Sequence, residues 1–171
     1  MNKFKILDKK GQGVAMQFLT AMFSAQTINV QQHWKDSGKV DIHLTATTKN
    51  NNEYYYCIEC KHRDYTHNQF KDGWIIEKHK KKSLNEDVNK KYKPIYLNTF
   101  RDGYCLVWDL SKIDWKKCGE TGVKEFYNTE VERDENKKHR ENKITLLNKQ
   151  AVWGGKINNG KVEKVTDENL N

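Results

Sequence analysis

The chain has 171 residues, of which 32% are charged and 11% aromatic, and a formal net charge of +8. That length fits one domain with a real core, and the aromatic share argues against a disordered chain. The charge favours a polyanionic partner, while the lack of a long apolar run and the polar start Met1-Asn2-Lys3-Phe4-Lys5 lead us to expect a cytoplasmic protein with no membrane partner.

The first patterned segment is residues 13–26. It is mostly apolar, with Gln17, Thr20 and Ser24 forming one polar stripe at helical spacing. Residues 27–34 read as a first strand. In 38–48 the apolar Val40, Ile42, Leu44 and Ala46 alternate with Asp41, His43, Thr45 and Thr47, which marks a half-buried strand. In 53–61, Tyr54, Tyr56, Ile58 and Cys60 share one face, and Tyr55, Cys57, Glu59 and Lys61 the other.

A hairpin turning at about Asn50 or Asn51 sets Asp41 opposite Glu59 or its immediate neighbour. Like charges there repel. A bound hard divalent ion answers that repulsion, and so does an ordinary ion pair with Lys61. Acid-x-lysine also occurs at Asp8, Asp114, Glu135 and Glu141. Of these, only Glu59 ends a β-patterned run beside a second acid on a neighbouring run.

Residues 67–84 read as a second helix, with Phe70, Trp74 and Ile75 on one face and Gly73 as an interruption. The helix ends in a basic run containing Lys78, Lys80, Lys81 and Lys82, either a solvated helix end or a phosphate-contacting patch. Residues 94–100 and 104–110 read as strands around the hairpin signal Arg101-Asp102-Gly103. Beyond Trp115 the pattern weakens. Residues 144–153 have enough apolar character to pack back, and 154–171 read as a flexible tail after one domain spanning 1–153. Cys57 and Cys60 have zinc-like spacing but point to opposite sides of a strand, so the four cysteines read as free thiols. Heavy use of Lys and Asn suits an A/T-rich genome, such as a bacterium or its phage.

The run Gly38-Lys39-Val40-Asp41-Ile42, followed by a strand ending Ile58-Glu59-Cys60-Lys61, resembles the PD-(D/E)xK nuclease superfamily over residues 11–110. That resemblance implies an α/β fold with a restriction-endonuclease-like core: a central mixed four-stranded sheet flanked by helices (αβββαβ), here with a C-terminal extension. It implies that Asp41 and Glu59 hold Mg²⁺ or Mn²⁺, completed by the main-chain carbonyl of Cys60. Lys61 would position or activate the attacking water. In some relatives a glutamine on the second helix sits by the site, and Gln69 is its counterpart here. Many relatives carry an acid on the first helix, where the segment 13–26 has none and Gln17 is the nearest substitute. Many also dimerise to cut two strands, so a homodimer is an expectation of the resemblance alone. Two functions follow: a metal-dependent nuclease acting on DNA, of a resolvase, repair or restriction type, or a non-catalytic basic nucleic-acid-binding module.

Overall fold

The computed structural model describes residues 3–33, 40–69, 73–88, 91–118, 120–127 and 138–165. Lys3–Met22 form helix α1, which begins ten residues earlier than its apolar pattern suggested. Ala15, Phe18 and Leu19, with Phe23 just past its end, make its buried face, an apolar stripe at helical spacing. Strands β1 (Thr27–Gln32), β2 (Ile42–Thr47) and β3 (Glu53–Arg63) follow. Next come β4 (Trp74–Glu77), helix α2 (Lys78–Val88), β5 (Lys93–Phe100) and β6 (Tyr104–Asp109). The described chain then adds β7 (Glu120–Tyr127), β8 (Lys138–Leu146), β9 (Trp153–Asn158) and β10 (Lys161–Lys164).

These strands correct the expected architecture. The fold is mostly β, with a seven-stranded mixed sheet in the order β1-β2-β3-β5-β6-β9-β10 and a separate three-stranded sheet, β4-β8-β7. It is not a four-stranded sheet flanked by helices, and only two α-helices occur among the described residues. Within the large sheet β3 and β5 run parallel, and every other neighbouring pair is antiparallel. The C-terminal part is not an extension beside a finished core: β9 pairs with β6, from Tyr104↔Lys156 to Val107↔Trp153.

Two local readings fail for identifiable reasons. Residues 67–84 are not one helix. Gly73 has φ +129°, which no helix accommodates, and the β-favouring run Trp74-Ile75-Ile76 pairs with β8 instead. The helix starts only at Lys78. Residues 154–165 are not a tail. Asn159 and Gly160 have φ +49° and +75°, the pair of left-handed conformations that a tight hairpin needs, and they fold β10 back on β9. Residues 166–171 lie outside the described residues.

The large sheet is covered on both faces. Against one face, α1 packs Phe18, Leu19 and Phe23 on Ile42, Leu44, Ile58, Leu97 and Val107. Against the other, α2 and the small sheet pack Trp74, Ile76, Leu84 and Leu146 on Cys57, Tyr96, Phe100 and Trp108. Polar contacts tie the small sheet down. Trp108 donates its indole N–H to the Leu147 carbonyl at 2.9 Å. Tyr96 O–H and Arg63 both donate to the Ile75 carbonyl, at 3.0 and 2.6 Å.

Candidate active site

The β2–β3 ladder pairs His43 with Cys57 and Ile42 with Ile58. One step further along the same register, Asp41 stands opposite Glu59. Asp41 lies just before β2, where it no longer occupies a ladder position. Its Oδ2 accepts the main-chain N–H of Cys60 at 2.8 Å. Its own carbonyl accepts the N–H of His33 at 2.7 Å, which ties it to the end of β1. In an extended strand the N–H and C=O of one residue leave on the same edge. The Cys60 carbonyl therefore leaves β3 on the side where Asp41 sits.

Lys61 lies two residues beyond Glu59 and shares its face of the sheet. That face looks toward the junction where β4 runs directly into α2. The junction adds Glu77, which the sequence pattern did not assign to a site, and Lys80, which it assigned only to the basic run. Glu77, the last residue of β4, is 3.6 Å from the Lys61 Nζ. Lys80, in the first turn of α2, places its Nζ 2.8 Å from Glu59 Oε1. Asn98 lies beside Lys61 on the parallel strand β5 and is fully buried. Its Oδ1 and Nδ2, and Glu59 Oε2, are buried with no hydrogen-bond partner. Unpartnered buried polar atoms are uncommon in native structures and call for an explanation such as an ion or a catalytic role.

The charges act on one another. Burial pushes the Glu59 carboxyl up from its ordinary 4.5 to about 7; Asp41 adds to the rise, and Lys80 and Lys61 oppose it. Burial disfavours the Lys80 ammonium, but Glu59, Asp41 and Glu77 outweigh it and raise its pKa. Folded Glu59 thus holds its proton more tightly than the unfolded chain does. Between the ordinary carboxylate range and about pH 7 the apo protein loses stability as pH rises. A metal needs the ionised form. If these carboxylates take Mn²⁺, its affinity should therefore climb by up to about tenfold per pH unit below pH 7 and level off above it. Calorimetric titration of Mn²⁺ across that range checks this, and an affinity that stays flat contradicts it.

The residues present suit a hard divalent ion. Two carboxylates on adjacent strands, one carrying an unpartnered oxygen, and a main-chain carbonyl aimed to the same edge form an oxygen donor set. Among the described residues no group of three or more His, Cys, Asp or Glu side chains is arranged to hold an ion. Mg²⁺ is compatible with so small a protein contribution, because it keeps several waters and takes one or two carboxylates.

The other sequence candidates separate. Gln69 sits exposed in the turn before β4, where its N–H donates to the Thr66 carbonyl at 3.1 Å, and not on a helix. Gln17 is exposed on α1, across the sheet from Glu59. The basic run does not act as one patch. Lys80 turns into the site, Lys81 places its Nζ 3.5 Å from the centre of the Trp115 ring, Lys82 is exposed and Lys78 is half-buried. Cys57 packs on the α2 side of the sheet and Cys60 on the α1 side, and none of the four cysteines forms a disulfide. No family model matches the chain, and no curated protein matches it either. Among the described residues no helix is long and apolar enough to cross a membrane.

Proposed function

We propose that this protein is a metal-dependent nuclease that hydrolyses phosphodiester bonds, with DNA as its substrate. The observation that carries the reading is the buried Glu59 facing Asp41 with Lys61 on the same face, its Oε2 unpartnered and its carboxyl raised to about 7. A strongly perturbed acid among charged partners marks a candidate functional site. The PD-(D/E)xK resemblance places the same three residues in the catalytic set.

Asp41, Glu59 and the Cys60 carbonyl would hold Mg²⁺ or Mn²⁺. When bound, such an ion polarises a phosphoryl oxygen and makes water a better nucleophile at neutral pH. Glu77 holds the Lys61 ammonium beside the carboxylates, where it stabilises charge developing on the phosphate. Lys80 neutralises Glu59 until a bound cation takes over that role. The net charge of +8 favours a polyanionic substrate and makes its binding salt-sensitive.

A second reading has its own observation. Both lysines already have acidic partners, so the cluster also works as a closed ion-pair network in a non-catalytic nucleic-acid-binding module. Cleavage of linear, single-stranded and branched DNA with Mg²⁺, Mn²⁺ or chelator separates the two. A protein that binds no divalent ion and cuts none of these substrates is the module. Lysine 61 sharpens the test. Lys61→Ala should keep Mn²⁺ affinity within about threefold and cut turnover at least ~100-fold, as for loss of one preorganised charge-stabilising group. Lys61→Arg should restore the pair with Glu77 without restoring turnover, because a planar guanidinium fork does not replace a compact ammonium.

A further inference from the structure

Beside the carboxylates, the same face of β2 and β3 carries a row of rings. Tyr55 and Tyr92 have centroids 5.9 Å apart at 71°. Tyr92 and His43 are 4.8 Å apart at 57°, and His43 and His33 are 5.1 Å apart at 75°. His43 is two residues from Asp41 on one strand face, and Tyr55 is four residues from Glu59 on the other. The row therefore starts at the candidate site and runs away from it over ~14 Å of strand.

The rings are held but not covered. Tyr55 donates its hydroxyl to Glu53, and Tyr92 packs on the core cluster; both remain half-exposed. Lys91, next to Tyr92 in sequence, is exposed; Lys93 turns to the other face of the sheet, its ammonium over the rings of Tyr54 and Tyr56. Half-exposed aromatic rings in a row, with an exposed lysine adjoining Tyr92 and the candidate phosphodiester site at one end, fit one chemistry. Bases stack on the rings while the ammonium follows the backbone, and every base has a face that can stack. A paired duplex offers only base edges in its grooves, so this surface takes unpaired nucleotides.

Resting on the nuclease reading, we propose that Tyr55 and Tyr92, with His43 linking them to Asp41, form a stacking platform for unpaired nucleotides next to the scissile phosphate, so that the substrate is single-stranded, flapped or branched nucleic acid. The platform sets which nucleic acid is taken; the carboxylates act on its phosphate.

The test reads binding without cleavage, with chelator present. Fluorescence anisotropy would follow a labelled oligothymidylate, a duplex of equal length, and a strand of equal length lacking its bases. Tyr55→Ala should weaken oligothymidylate binding roughly 5- to 150-fold, and leave duplex binding within about twofold. Tyr55→Phe should bind like the parent, because it keeps the ring and loses only the hydroxyl. Tyr92→Leu, which keeps an apolar contact with the core, should lose affinity like Tyr55→Ala. The parent should bind the base-free strand as weakly as Tyr55→Ala binds oligothymidylate. The proposal is overturned if the parent does not bind oligothymidylate, or binds the base-free strand equally well. It is also overturned if Tyr55→Ala changes nothing or weakens the duplex to the same degree, which would make the rings a support for the fold or a protein-binding surface. If circular dichroism shows Tyr92→Leu unfolded, Tyr55→Ala and the base-free strand decide the matter. The nuclease reading fails separately: tyrosine-dependent binding by a parent that cuts nothing with Mg²⁺ or Mn²⁺ keeps the platform and removes the enzyme.

Discussion

On the proposed nuclease reading, Glu59→Gln and Asp41→Asn should each abolish divalent-metal-dependent cleavage, by at least ~10³-fold, since each would remove a ligand from an ion that supplies several kcal/mol of charge stabilisation. Both amides keep the shape of the acid, so the fold should survive. Glu59→Gln has a further signature that a surface role would not produce. The carboxyl is 4% exposed and raised to about 7, so the ionised form is disfavoured where it stands. Above pH 7 the amide relieves that cost; below the ordinary carboxylate range there is little to relieve. The melting temperature of Glu59→Gln relative to the parent should therefore rise with pH, even though Lys80 loses its closest partner. Thermal melts at acid and mildly alkaline pH, beside cleavage rates and Mn²⁺ titrations, check all three effects. Full cleavage by either variant would sink the assignment of the metal ligands.

The largest effect on stability should come from Gly73→Ala. Gly73 has φ +129°, outside the region side chains normally accept. A Cβ there would lie 2.0 Å from the Leu146 carbonyl oxygen and 2.7 Å from its carbon, atoms of β8 that cannot rotate aside. Strain and overlap together should cost roughly 2–6 kcal/mol, a large part of the stability of a domain this size. The damage should centre on the pairing of β4 with β8; Glu77 ends β4, and Lys80 lies in the helix that follows it directly. Gly160→Ala is the control. Its φ is +75°, but nothing lies within 4 Å of its added carbon, so it should cost about 1 kcal/mol. Denaturant midpoints for the two variants compare them directly, and equal midpoints would refute the role given to Leu146.

Period-2 alternation made β2 and β3 legible before any coordinates, and with them the facing of Asp41, Glu59 and Lys61. The hairpin at Asp102-Gly103 was legible for the same kind of reason, a local turn signal between two β-patterned runs. The signal at Asn159-Gly160 was equally local and was lost in a stretch read as a polar tail. The helix expected over 67–84 hid the rest. Trp74, Ile75 and Ile76 suit either period in so short a run, and tertiary pairing with β8 decided for strand. With that segment read as helix, Glu77 has no visible role. Yet it is an acid at the end of an apolar β run, the pattern that singled out Glu59. Lys80 is named in the sequence only as one of a basic run: the sequence cannot say which lysine turns inward to Glu59, and the start of α2 at Lys78 settles it. Asn98 was legible as a polar residue inside the apolar run 95–100, but its place beside Lys61 needs the parallel pairing of β3 with β5.

That parallel pairing also bears on how the chain reaches its folded state. β1, β2 and β3 are neighbours in sequence and in space, so their contacts close small loops. β3 meets β5 only after the intervening β4 and α2 have been threaded across the sheet, and β6 waits for β9, which follows another two strands. Non-local pairings of this kind slow folding. A fast phase that forms the β1–β3 meander should precede a slow phase that docks β5. Asp41 and Glu59 would then face each other early, and the repulsion between them would be unopposed by Lys80 until α2 arrives. Refolding rates should on this account rise when Glu59 carries its proton.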